Sequence, residues 1–447
     1  MHAMSVDHSG TAHHPLHILF VAWGFPPHRG PGTYRPLATV NELARRGHRV
    51  TVLTADLDTF DLAIGGDNTL LEAVHPLVRI LRVFVPQDAR EPFINHWPAT
   101  RVASLRAWHR ALKVDQVQSF PESVYSPWGP RARAAALALH AQDPVDLCFA
   151  TGNPYVDFTV ALALNAEHHV PAILDDRDSW ILDVYTGEEL PEADRIRPWL
   201  EYALDVAVQM WFVNPPIADW HRTHFPDNAE KIHVVENGWD PRFLSPETFS
   251  DNPSTEGRLR FTFIGTVSHR LPLQLLADAW VAARRHSSLL ASSEFHVVGQ
   301  YGRIGTTSAE HARIRDEYMP HQMVFTWRLP KTGIGAAYAA ADVLVFAKEG
   351  SGLVTSGKVY EYVATGRPIA SVLAPEHDAR RILSGYPRWH DAGEESADAL
   401  AQALVAAAAD AVDGAHRREQ ALAYGGRFRR DVLLADALDL VEQELAT

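Results

Sequence analysis

A single cysteine, Cys148, occurs in the 447 residues, so no intrachain disulfide can staple the fold and a reducing compartment is expected. Cys148 sits in the apolar run Asp146 to Ala150, which suits a buried strand thiol better than a nucleophile. Positive charge is also short. The formal net charge is −14, which argues against a general nucleic-acid binder, because such proteins neutralise phosphates with Lys and Arg. Long apolar runs are missing: Leu16 to Phe25 is too short to cross a bilayer and follows no basic segment, so neither a targeting peptide nor a membrane anchor is expected and the location reads as cytoplasmic. There are 24 histidines, yet no His-Glu-x-x-His and no paired Cys/His spacing. His13-His14 and His168-His169 therefore read as surface or loop residues, and no metal site is expected.

What is present is a globular composition, 46% hydrophobic and 21% charged, in a chain long enough for two ordinary domains. Leu16 to Ala22 reads as a buried strand that ends at Trp23-Gly-Phe-Pro-Pro27, followed by Gly30 and Gly32. A helical pattern from Arg35 to Arg46 stops at Gly47 and gives way to the strand Val50 to Thr54. This has the length of a strand-helix-strand crossover in a parallel sheet. Further strands are expected at Arg79 to Val85, Leu147 to Ala150, Ala172 to Leu174, Met210 to Val213 and Lys231 to Val235. Gln87 to Pro130 shows no clear strand.

A second series starts after the turn-rich Asn237-Gly-Trp-Asp-Pro241. Strands are expected at Arg260 to Gly265, Phe295 to Gly299, Met323 to Thr326, Val343 to Ala347 and Ile369 to Leu373, the last closing the series. A helix is expected over Leu273 to Arg284, and the tail from Glu394 reads as a pair of amphipathic helices. The fold class is α/β: two tandem Rossmann-like, doubly wound parallel-sheet domains facing a cleft, over residues 16–240 and 241–426.

The most informative stretch is Ala341 to Ile369: a buried strand, a glycine-containing loop, a helix opening near Ser356, and a stop at Gly366 before Pro368. A helix start after such a loop offers free N–H groups and a positive dipole end to an anion. Ser356 and Gly357 form that tip, and Lys358 adds a full charge in the first turn. Glu361 lies one turn on, where a carboxylate can accept hydrogen bonds from vicinal hydroxyls such as those of a ribose. A bland reading is a solvated ion pair between Lys358 and Glu361. Gly352 to Lys358 also has the spacing of a P-loop, although Val359 replaces the magnesium-binding Ser or Thr.

The strand, the Glu349-Gly-Ser-Gly loop and Gly357-Lys-Val-Tyr-Glu-Tyr-Val-Ala-Thr-Gly-Arg-Pro-Ile369 resemble the donor-site signature of retaining GT-B glycosyltransferases of the family-4 group. Phe20 to Pro27 with Gly30-Pro-Gly32, Leu174 to Trp180, Val235 to Asp240 and Phe263 to Thr266 resemble the same group, in its order. The resemblance implies a nucleotide-sugar donor held by the C-terminal domain and an acceptor held by the N-terminal domain. It further implies chemistry with retention and without a metal or other cofactor, and a last helix, 427–447, that packs back on the first domain. Donor contacts are then expected at Gly30, Gly32, Asn237, Gly265, Thr266, Ser356, Gly357, Lys358 and Glu361, with Arg328 and Leu329 in the loop that meets the base. Catalytic roles fall to Glu349, Asp178, Arg270 and Lys358. Acceptor contacts are expected at Trp23, Tyr34, Asp176, Arg177 and Asp178, where Asp176 has the competing role of capping its turn.

The chain also departs from the pattern. Glu349 and Glu361 stand 12 positions apart, as in the subgroup with a Lys just before the second Glu, and Gly265 is followed by Thr266-Val-Ser-His-Arg270 where the usual Arg and Lys are missing. Arg270, and more weakly His269, are the substitutes for the diphosphate. Thr100 to Lys113 pairs Arg101, Arg106, Arg110 and Lys113 with Val102, Leu105, Trp108 and Leu112. Such a basic amphipathic helix suits peripheral membrane contact and a lipid-linked acceptor, or else lines a cleft. The acceptor is thus a small molecule or natural product, or a polyprenyl-linked saccharide. A P-loop NTPase or kinase, a GT-B epimerase and a sugar-nucleotide binder without turnover stay open. A dinucleotide oxidoreductase does not fit, because Gly30-Pro-Gly32 is followed by Thr-Tyr-Arg and lacks the third glycine.

Overall fold

The computed structural model describes residues 15–63, 65–86, 91–122, 124–249, 258–267, 271–299, 309–327, 329–348 and 351–445. The chain divides into two compact units, one of residues 1–183 and 188–235, the other of residues 184–187 and 236–447.

Among its described residues the first unit is built on seven strands: β1 (His17–Val21), β2 (Arg49–Ala55), β3 (Arg79–Val83), β4 (Leu147–Gly152), β5 (Ala172–Asp176), β6 (Ala207–Phe212) and β7 (Ile232–Val234). All pair in parallel, in the order β3-β2-β1-β4-β5-β6-β7. Helices cross between the strands, so the central strands are covered on both faces and read as continuous apolar runs. Phe20 of β1 stacks on Phe149 of β4 at 4.8 Å, and Phe149 meets Trp211 of β6 edge-on at 5.0 Å. Each such ring contributes about 1.5–3 kcal/mol by its burial. Cys148 is buried in β4, and burial raises its thiol pKa, so it stays protonated there.

One buried ion pair braces this sheet. Arg35, in the helix Tyr34–Arg45, donates from Nε to both Asp175 oxygens at 3.0 and 2.9 Å and from an NH2 group to Oδ1 at 2.7 Å. Its remaining NH1 group donates to the Val235 carbonyl at 2.8 Å, and Thr151 Oγ1 donates to Asp175 Oδ2 at 3.0 Å.

Among its described residues the second unit carries six parallel strands, β8 (Arg260–Ile264), β9 (Glu294–Gly299), β10 (Met323–Trp327), β11 (Val343–Ala347), β12 (Ile369–Val372) and β13 (Trp389–Asp391). Their order is β10-β9-β8-β11-β12-β13. The expected series ended at β12. The extra edge strand, with its polar His390 and Asp391, lacks the apolar run that marks a central strand. The tail, expected as two helices, is three: Ala397–Asp413, Arg418–Gly426 and Arg430–Leu445. Gly414 caps the first, and two glycines, Gly425 and Gly426, end the second. The last begins on the second unit, where Arg430 donates to the carbonyls of Asn237 at 2.6 Å and Gly238 at 3.0 Å.

Both sheets reverse their winding direction once, between β1 and β4 in the first unit and between β8 and β11 in the second. In open α/β sheets, the carboxyl ends of the strands beside that reversal are where ligands gather.

Candidate functional site

In the second unit, β11 runs from Val343 to Ala347 and the helix Gly357–Ala364 starts ten residues later, after Ser356 as its N-cap. The Ser356 hydroxyl makes no capping hydrogen bond; its carbonyl accepts from the Val359 N–H at 3.0 Å, which leaves the N–H groups of Gly357 and Lys358 as the ones this tip offers. Gly357 is exposed, and a Cβ built on it would meet nothing within 4 Å. The tip is open.

Behind the tip, one carboxylate gathers three donors. Glu361 Oε2 accepts from Lys358 Nζ at 2.8 Å and from the Tyr338 hydroxyl at 2.6 Å, while Oε1 accepts from Lys331 Nζ at 2.6 Å. The pair Lys358 and Glu361 thus exists as the bland reading had it, but it is set into the protein, with Glu361 only 14% exposed. Burial alone would raise the Glu361 carboxyl, and the Lys331 and Lys358 ammoniums overcome it, holding the group well below the usual carboxylate range. Burial lowers the Lys331 ammonium, helped by the like charge of Lys358 and opposed by Glu361. Two cations against one anion leave a net positive charge beside a helix N-terminus, an arrangement that attracts an anion. Val359, at the position where a P-loop carries its magnesium-binding hydroxyl, is fully buried.

No sequence motif marks Lys331 or Tyr338 as a site residue. Both belong to the turn and helix after β10, Lys331–Gly333 and Ile334–Ala339. Leu329, in the same loop, is exposed. Gly265 closes β8, its N–H donating to the Val298 carbonyl at 3.0 Å, and Thr266 beside it is exposed. Asn237 is half-buried, and its carbonyl accepts from Arg430 Nε. Glu349, His269, Arg270 and Arg328 lie outside the described residues.

The first unit assembles a second set at the ends of β1, β4 and β5. The Trp23 N–H donates to Asp157 Oδ2 at 2.9 Å, and the Trp23 ring meets His28, Phe60 and Tyr125 edge-on. Trp23 Nε1, His28 Nε2 and Asp157 Oδ1 are buried with no hydrogen-bond partner among the described residues. Burial and the charge of Glu122 push the Asp157 carboxyl well up, against the Trp23 N–H and Arg177. Gly30 and Gly32, expected to let a ligand approach, also leave room for side chains: a Cβ at Gly30 would lie 2.4 Å from His28 Cε1, and one at Gly32 would lie 2.6 Å from an Arg177 nitrogen.

Asp176 takes the capping role. It accepts from the Tyr155 hydroxyl and the Ser179 N–H at 2.8 Å each and from the Trp180 N–H at 3.2 Å, and its burial pushes the carboxyl up to about 7. Arg177 donates from Nε to the Gly152 carbonyl at 2.7 Å, which ties the residue after β5 to the end of β4. Asp178 is exposed beside it, and Tyr34 opens the helix Tyr34–Arg45 half-buried. Glu122, which no sequence signal marked, accepts from the Val156 N–H at 2.8 Å and is pushed up to about 7, chiefly by burial.

The expected helix over Thr100 to Lys113 is two helices, Ala99–Ala103 and Leu105–Ser119, divided at Ser104, whose hydroxyl accepts from the Ala107 N–H at 3.2 Å. Arg101 leaves the basic face: it is buried between the rings of Trp97 and Trp108, 3.8 and 4.6 Å from their centroids. No helix among the described residues is long and apolar enough to cross a membrane.

The fold is that of the GT-B glycosyltransferases. A glycosyltransferase from Rickettsia africae superposes with a TM-score of 0.63 at 12% identity, over 96% of this chain and 99% of that one. Sucrose-phosphate synthase from Thermosynechococcus elongatus gives 0.60 at 15% identity, over 96% and 99%. HepE from Anabaena, solved in complex with UDP, gives 0.62 at 14% identity, over 96% and 100%. No protein-family model matches the chain, and no curated protein does.

Proposed function

We propose that the chain is a glycosyltransferase that takes a sugar from a nucleotide diphosphate donor held by its second unit and passes it to an acceptor held by its first. The observation that carries the reading is the open, positively charged tip of the helix Gly357–Ala364 with the half-buried carboxylate of Glu361 one turn behind. A diphosphate at the tip and a ribose diol at Glu361 match the order of groups in such a donor, and the UDP complex of HepE, a protein of the same fold, supports the assignment.

Departure of the diphosphate leaves positive charge on the sugar and negative charge on the leaving group. Donors fixed in advance around that leaving group are the strongest lever available. Lys358 and the helix N-terminus supply it here, with Arg270 as a further candidate, so the reading needs no metal. The sequence resemblance adds retention of configuration, the acceptor entering on the face the diphosphate leaves. Glu349 would meet the donor sugar hydroxyls and Asp178 the acceptor. The acceptor is a small molecule or natural product, with a polyprenyl-linked saccharide as the alternative.

Incubation with UDP-, GDP- and dTDP-sugars in the presence of a chelator tests the reading. Release of nucleotide diphosphate from at least one donor is expected, and Lys358→Met is expected to slow it about tenfold or more, the loss of a charge-assisted contact. ATP turnover that depends on magnesium, or binding of a sugar nucleotide without any turnover, would overturn it.

A further inference from the structure

The helix Leu105–Ser119 of the first unit buries none of its 15 residues. A helix that length is marginal alone in water and normally gains its stability by burying an apolar face. Its exposed side chains are sorted: Arg106, His109, Arg110 and Lys113 follow the i, i+3, i+4, i+7 spacing of one helical face. Leu105 and Leu112 flank that face, and Val114 is exposed at its other side, 50% open. The basic side chains, with Leu112, Gln116 and Val124, line one groove of about 590 Å³. Val124 is 74% exposed, and Val102, Phe93 and Ile94 in the preceding segment are exposed as well.

Charge decides what would cover this face. Against three basic residues the helix carries one acid, Asp115, while the whole chain stands at −14. A neutral apolar partner would leave the cations uncompensated, and a polyanion without apolar surface would leave the valines, leucines and Phe93 in water. An anionic lipid surface answers both, since headgroups pair with Lys and Arg while the interfacial zone takes apolar side chains and the stems of the long cations. The acidic remainder of the chain is repelled by the same surface, which orients the molecule with this helix toward it.

We propose that Leu105–Ser119 is a peripheral membrane-docking helix that holds the first unit against anionic lipid. The proposal does not depend on the donor site. Sedimentation of the full chain with vesicles of phosphatidylcholine alone, and of equal parts phosphatidylcholine and phosphatidylglycerol, tests it. Binding is expected to the mixed vesicles only and to fall with added salt. Arg106→Gln/Arg110→Gln/Lys113→Gln is expected to lower the partition coefficient about a hundredfold, at close to one kcal/mol for each basic residue. Leu105→Ser/Val114→Ser is expected to weaken binding at constant charge. Circular dichroism and binding of a nucleotide diphosphate check that each variant is folded.

No binding to either vesicle, equal binding to both, or a charge variant that binds like the native chain would overturn the proposal. So would capture of inorganic phosphate at this groove by a chain that ignores vesicles.

Discussion

Lys331 Nζ lies 2.6 Å from Glu361 Oε1, across 30 residues of chain, while Lys358 Nζ holds the other oxygen of the same carboxylate at 2.8 Å. Two ammoniums on one carboxylate keep it ionised and fixed in place, and they leave charge to spare for an anion. Different parts of a nucleotide should therefore answer to different residues. Glu361→Gln is expected to weaken a nucleoside diphosphate about ten- to hundredfold, the range of a hydrogen bond to a charged group. It should leave inorganic pyrophosphate unchanged or bound more tightly, because two lysines lose their counter-charge. Lys358→Met should weaken both ligands. Titration calorimetry with the two ligands separates the outcomes.

In the first unit, Arg35 and Asp175 are both nearly fully buried and joined by paired hydrogen bonds. Removing one partner leaves the other charge unpaired in the sheet, at a cost of about 3–5 kcal/mol. Arg35→Met should lower the unfolding midpoint by roughly 10 °C in scanning calorimetry, whereas a change at an exposed pair such as Arg313 and Glu317 should move it little.

His28 carries a pH signature. Burial, then the charge of Arg177, lowers its pKa from 6.5 to about 4. The folded chain therefore resists a proton that the unfolded chain accepts. The stability contributed by neutral His28 is complete above about pH 6.5 and is lost as the pH falls toward about 4. Relative to His28→Asn, the native chain should lose on the order of 3 kcal/mol across that interval. Urea midpoints of both chains, measured at a series of pH values, report the difference.

The ends of β8 and β9 meet so closely that a Cβ at Gly299 would lie 1.6 Å from the Gly265 carbonyl oxygen. The neighbour is backbone and cannot swing aside. Gly299→Ala should destabilise the chain by about 3 kcal/mol, as overpacking does, and should depress nucleotide binding with it, because Gly265 leads into Thr266. Denaturant unfolding and calorimetry on the same preparation check both effects.

Strands such as Leu147–Gly152 and Val343–Ala347 were legible because a parallel sheet buried on both faces demands unbroken apolar runs. Trp389–Asp391 was not, since its His390 and Asp391 break any apolar run, whereas the equally short Ile232–Val234 keeps two apolar residues. The tip at Ser356, Gly357 and Lys358 could be read because its parts are neighbours in sequence. Lys331 and Tyr338 reach Glu361 only through the packing of the segment after β10, which no local pattern reveals. Arg101 shows the reverse case: its spacing fits the basic face, but Trp97 and Trp108 sequester it. Asp157 and Glu122 lacked any signal, because a carboxylate that braces a backbone N–H looks like any other acid in the sequence.

The most direct test of the donor site is calorimetric titration of UDP, GDP and dTDP into the native chain and into Lys358→Ala/Glu361→Ala. Saturable binding of at least one nucleotide to the native chain, lost in the double variant while its circular dichroism is unchanged, is the expected result. The same heats from both proteins, or none from either with all three nucleotides, would contradict the assignment.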